Sequence, residues 1–224
     1  MNKLAMATAT PTQKSTDLEV GGDPGYARAL TVLVAWFFLA VWLGISGALS
    51  GKSGTPPIAL GAAIGLPLLV FALDARFGGP LSRAFSRLEL PTLTALQTFR
   101  VGGVFFLIAY AQGALPGGFA LPAGLGDIAI GIAAPFVATA LANGRRSALT
   151  AAAIWNVLGL VDLVTAVGAG VTHASSAIGI FAGPVTTDRM SHYPFSLIPT
   201  FLVPVAVVLH AFSLRALARA RVAR

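Results

Sequence analysis

The chain has 224 residues, of which 56% are hydrophobic and 10% charged, and its mean hydropathy is +0.81. Soluble domains carry about 25% charged residues, so this composition excludes an ordinary soluble fold and points to helices that meet lipid or one another. The formal charge of +7 does not indicate a nucleic-acid partner, because the basic residues flank apolar runs, where they set orientation in a bilayer.

Residues 1–27 are polar and read as a disordered tail on the cytoplasmic side. A bilayer core about 30 Å thick needs about 20 apolar residues in a helix. Six runs meet or approach that length: 30–49, 57–73, 93–115, 122–141, 148–170 and 194–214. The first is too long and too far from the amino end for a cleaved signal. The fold expected is all-α and polytopic, with a transmembrane domain over 28–216 and a basic cytoplasmic tail over 217–224. The connection 171–193 is the longest and carries Ile178, Ile180 and Phe181, so it is expected to fold over the outer mouth as a lid or an interfacial helix.

The cationic residues sort by side. Lys3, Lys14, Arg28, Arg76, Arg83, Arg87, Arg145, Arg146, Arg215, Arg219, Arg221 and Arg224 fall on one side of a six-span arrangement, against Lys52 and Arg189 on the other. The positive-inside rule then places both ends in the cytoplasm. The outward-running helices align on Leu30, Leu93 and Leu149, each followed by an aromatic (Trp36, Phe99, Trp155) and then a small residue (Ala40, Gly103, Gly159). The inward-running helices each hold a proline, at Pro67, Pro135 and Pro204. This register fits three tandem helical hairpins.

Charged groups inside a span are expensive, and each is a functional candidate by default. Arg100 lies on the third span with Gln97 one turn earlier, and His210 near the inner end of the sixth. Asp127 is placed near the outer end of the fourth span. Asn156, Gly159 and Asp162 follow at i, i+3 and i+6 on the fifth, with Asp162 in its outer third. The expectation is a polar path of Arg100, Asp127, Asn156, Asp162 and His210, with the carboxylates toward the outside and Arg100 with His210 toward the inside. The competing structural roles are an Arg100 that snorkels to the interface, an Asp127 that caps its helix, and an Asp162 tied to Gln112 or Tyr110.

Other motifs carry less. Gly124-Leu-Gly-Asp127 has the form of the GxGD element of intramembrane aspartyl proteases, but the earlier aspartate, Asp74, sits at the opposite end of its helix. Gly51-Lys52-Ser53 lacks the first glycine of a phosphate loop, since position 46 is Ser46. Haem would need more than the one intramembrane histidine. His173, His192 and Asp188 share a loop without a metal-ligand spacing, so neither cofactor nor metal is expected. The absence of cysteine removes thiolate chemistry.

Arg100-Val-Gly-Gly, Leu121-Pro-Ala-Gly-Leu-Gly-Asp127, Trp155-Asn156-x-x-Gly159-x-x-Asp162, Leu197-Ile-Pro-Thr and His210 together resemble an uncharacterised group of bacterial six-span membrane proteins over residues 93–214. The resemblance implies a bacterial inner membrane and this fold, and no chemistry. The function expected is transport of a small solute or ion, linked to protons, through the path. Its rival is an accessory or scaffolding subunit of a larger membrane complex. An intramembrane protease comes third, and enzyme activity in general has no convincing constellation. The partners expected are the bilayer, a small solute or ion, and further copies or subunits, since six short helices enclose little volume.

Overall fold

The computed structural model describes residues 24–52 and 54–222. Most of the tail expected over 1–27 therefore lies outside the described residues, as do the last two residues of the basic tail. Helix α1 (Pro24–Ser46) is joined to α2 (Ile58–Phe77), and a short α3 (Pro80–Ser86) follows. The third span, Leu90–Ala111, has three parts: α4 (Leu90–Leu96), a tight 3₁₀ stretch (Gln97–Gly103) and α5 (Val104–Ala111). Then come α6 (Gly117–Ala142), α7 (Ala148–Thr172), a 3₁₀ turn (Thr187–Ser191), a wide π-helical turn (Ile198–Leu202) and α8 (Val203–Val222). No strand occurs among the described residues.

Six of these helical stretches are long and apolar enough to cross a membrane, and the chain is a multi-pass membrane protein. Their outer faces carry Phe38, Phe77, Phe136 and Val164, all more than three-fifths exposed. Only lipid makes such a surface inexpensive. The spans start or end up to seven residues from the expected limits. Helix α6 begins at Gly117 rather than near 122, and α8 continues through Arg215, Arg219 and Arg221, since Ala, Leu and Arg are strong helix formers.

Local chemistry explains the joints. Gly78 ends α2 in the left-handed region at φ 66°, which only glycine adopts without cost. Asp74, near the end of α2, then turns its carboxylate to the start of α3 and accepts the backbone N–H groups of Leu81 and Ser82. The π turn holds Pro199 at its second position and Pro204 follows just after it, and neither ring nitrogen can donate to the helix ladder.

Helix α6 is the hub, packed along the whole third span and along α7, while α7 lies on α8 and α8 on α4 and α2. Two apolar cores sit at the two ends. Phe71, Leu81, Phe85, Leu93 and Phe212 fill the end that carries the termini, with Phe85 stacked on Phe212 at 5.4 Å between ring centroids. Phe106, Leu115, Phe119 and Met190 fill the opposite end. The second and third hairpins are tightly packed. In the first, α1 lies mainly on α3, and an apolar cavity of about 290 Å³ separates much of it from α2. The aligned small residues Ala40, Gly103 and Gly159 are all buried, whereas Trp155 is buried and Phe99 is exposed.

Candidate functional site

Between the two apolar cores lies a knot of polar side chains. On the third span the buried positions are Leu93 and then Thr94, Gln97, Arg100, Gly103, Phe106 and Ala109, the last six at a spacing of three. An α-helix would rotate such a series off one face. A 3₁₀ helix, at three residues per turn, stacks it, and the backbone from Gln97 to Gly103 adopts that form. Arg100 therefore points into the bundle and is 3% exposed, buried where a snorkelling side chain would reach the interface.

Its guanidinium is almost fully satisfied. Nε donates to Asp127 Oδ1 at 2.6 Å, and the Nη2 group donates to Asp162 Oδ2. Nη1 donates to the Gly159 carbonyl at 3.2 Å and lies 3.2 Å from His210 Nε2. His210 is wholly buried, with Nδ1 2.8 Å from Asn156 Oδ1. The Asn156 amide nitrogen donates to Ala152 O at 2.8 Å, so its oxygen faces His210 as an acceptor. The imidazole is then neutral, with its proton on Nδ1 and the Nε2 lone pair toward Arg100. Trp155 leans over the ring at 5.2 Å between centroids and donates Nε1–H to Ile130 O.

Glycines make the room. A Cβ on Gly126 would strike the Asp162 carboxylate, and one on Gly159 would strike His210 and Arg100. A Cβ on Gly103 would meet Asp127 Cβ and the Gly124 carbonyl, and one on Gly131 would meet the backbone of Val101. Close approach through small residues is how membrane helices gain packing and interhelical hydrogen bonds. The Gly-Leu-Gly-Asp sequence thus serves the seating of an arginine. The two carboxylates share a guanidinium, whereas a proteolytic dyad shares one proton.

Arg100, Asp127, Asn156, Asp162 and His210 are all brought together, but at one depth. Each of Arg100, Asp127, Asp162 and His210 lies about halfway along its span. Asp127 is well inside α6, with no role at its cap, because the helix starts earlier than expected. What the sequence spreads from one side of the membrane to the other is one compact cluster. Gln97 is adjacent but turns away, donating to Ala206 O at 3.0 Å and leaving its own Oε1 buried without a partner among the described residues. Tyr110 and Gln112 do not reach Asp162. Tyr110 lies over Gly117, and Gln112 ends α5. In the outer loop His192 pairs with Ser50 and the Asp188 backbone carbonyl while the Asp188 carboxylate is held by Ser175, and among the described residues no three His, Cys, Asp or Glu side chains gather as a metal site.

A cavity of about 440 Å³ opens at the end of the bundle opposite the termini. Its floor includes Phe106 on α5, Ala166 on α7 and Val203 on α8. Ala166 is one helical turn from Asp162. The segment 187–192, with residues 50–52 and Thr55, forms the mouth, joined by a 3.0 Å hydrogen bond between Ser50 Oγ and His192 Nε2. The pairing of these two distant loops and the role of Gly126 leave no signal in the sequence, whereas the three-residue period through Gln97, Arg100 and Gly103 is visible in it.

Comparison with curated proteins and comparison with solved structures each give no match. A family model described as Domain of unknown function (DUF8737) matches residues 57–218, from the start of α2 into α8, and the chain belongs to that family.

Proposed function

We propose that the protein moves a small solute or ion across the membrane, and that the Arg100 cluster is its proton-binding element. The observation that carries this reading is one of charge. Two carboxylates share one guanidinium at mid-span, and the histidine beside them is neutral. With both carboxylates ionised the cluster has one negative charge too many, in a medium where an uncompensated charge costs several kcal/mol. One bound proton closes the balance. The carboxylates are 18% and 15% exposed while the guanidinium is 1% exposed, so a proton can reach them without disturbing the arginine.

Binding a proton on Asp127 or Asp162 loosens one arm of the Arg100 fork. The 440 Å³ cavity ends about one helical turn from that fork, which supports a solute entering from that end. By the positive-inside rule this end faces away from the cytoplasm and both termini face it, with the inner membrane of a bacterium as the setting.

The test is proton flux in sealed proteoliposomes carrying an internal pH dye, for the wild type and Asp162→Asn. The expected result is uptake driven by an imposed potential that falls at least tenfold in Asp162→Asn, while the variant keeps its gel-filtration profile. Undiminished flux in that variant, or none in the wild type with any of a panel of small anions and cations outside, overturns the reading.

A further inference from the structure

We propose that the cavity at the end opposite the termini is a binding site for an amphiphilic monoanion, with Lys52 holding the anionic head. The cavity, at about 440 Å³, falls in the range of about 300–1,000 Å³ typical of small-molecule sites. Its deeper wall is apolar and aromatic, including the buried rings of Phe106 and Phe119. That wall suits a hydrocarbon or aryl group and offers nothing to an inorganic ion.

The mouth supplies the charge preference. Asp188 lines it, but both carboxylate oxygens are already engaged, Oδ1 by the Ser175 backbone N–H at 3.0 Å and Oδ2 by the Ser175 hydroxyl. His192 also lines it and is held between Ser50 Oγ and the Asp188 carbonyl, at 3.0 and 3.3 Å. Lys52 lines the same mouth and has no carboxylate partner among the described residues. Ser176, another lining residue, has a buried hydroxyl without a hydrogen-bond partner among the described residues. Among the described residues lining the cavity, a cation without a carboxylate partner and a hydroxyl without a hydrogen-bond partner, above an apolar floor, select a small anionic head on an apolar body. The inference concerns binding alone and stands apart from whether the Arg100 cluster carries protons.

The probe is octanoate, with octanol as its uncharged counterpart, and binding is read by equilibrium dialysis. The full chain is held in nanodiscs of zwitterionic lipid, with empty nanodiscs as the blank. Octanoate should bind at one site per chain, Lys52→Gln should weaken it about fivefold, and Lys52→Arg should keep it. Octanol should bind independently of position 52. Ala166→Phe, which fills the floor, should abolish both, with thermal unfolding checked for each variant. Octanoate binding that is the same in Lys52→Gln and the wild type, or that persists in a folded Ala166→Phe, overturns the proposal. Repeating the dialysis in nanodiscs with phosphatidylglycerol separates the sources of the head group. Loss of octanoate binding, with one retained phosphatidylglycerol by native mass spectrometry, names a lipid phosphate, and unchanged binding names a free carboxylate.

Discussion

Arg100 owes its place to four partners from three other helices, and its removal should be the most damaging single change. Arg100→Leu leaves two largely buried carboxylates uncompensated, a type of loss that costs up to about 3–5 kcal/mol. Unfolding in mixed micelles should show it. Adding Asp127→Asn and Asp162→Asn to that variant should recover most of the loss, because no naked charge then remains. If the triple variant is no more stable than Arg100→Leu, the damage lies in packing. His210 offers a sharper readout. Nitrogen-15 NMR of labelled histidine should report a neutral ring protonated at Nδ1, and an imidazolium signal would contradict the charge count.

The sequence identified these residues because intramembrane charge is rare. It misplaced their depths because Pro122 read as a helix boundary, whereas α6 runs through it from Gly117. Asp127 thereby moved from an end to the middle. The glycines were harder to read. Gly126 and Gly159 look like generic membrane-helix glycines until Asp162 and His210 are seen beside them.

At the scale of elements, the 3₁₀ stretch and the outer loop carry the specific claims. Gly103→Ala pushes a methyl group against Asp127 Cβ and the Gly124 carbonyl. Backbone cannot yield as a side-chain tip does, so the cost should be about 1–3 kcal/mol by micellar unfolding. Gly168→Ala, where no atom lies within 4 Å of the new methyl, should cost nothing measurable and serves as the control. In the outer loop, burial pushes the Asp188 carboxyl up. The Ser175 hydroxyl and backbone N–H, with Thr186 and His192, outweigh it and hold the carboxyl below its ordinary 3.8. A folded value below the unfolded one contributes stability above the unfolded value and loses it as pH falls through the folded value. Hydrogen-exchange protection factors over 172–192 should therefore stay constant from neutral pH to about 4, whereas Asp188→Asn should lower them already at neutral pH.

At the scale of the whole molecule, helix count and membrane character were legible because length and hydropathy alone set them. The packing order was not. Hairpin patterning in sequence cannot show that α1 leans on α3 and stands off α2 across an apolar cavity. The family match, which begins at residue 57, takes in the four spans that build the cluster, with α2, and leaves α1 outside. Orientation has its own test, since the chain has no native thiol. A cysteine at Ser147 should react with an impermeant reagent only in opened cells, and one at Ala182 in intact cells as well. Reaction of position 147 in intact cells would contradict cytoplasmic termini.

On the proposed function the carboxylate pair around Arg100 takes up and releases one proton at mid-membrane. Infrared difference spectroscopy across a pH titration tests it directly, through the carbonyl stretch of a protonated carboxylic acid shielded from water. One such band is expected in the wild type, altered or lost in both Asp127→Asn and Asp162→Asn. If no carboxylic acid band assignable to either residue appears at any pH where the protein stays folded, both carboxylates remain ionised and the cluster is a structural tie.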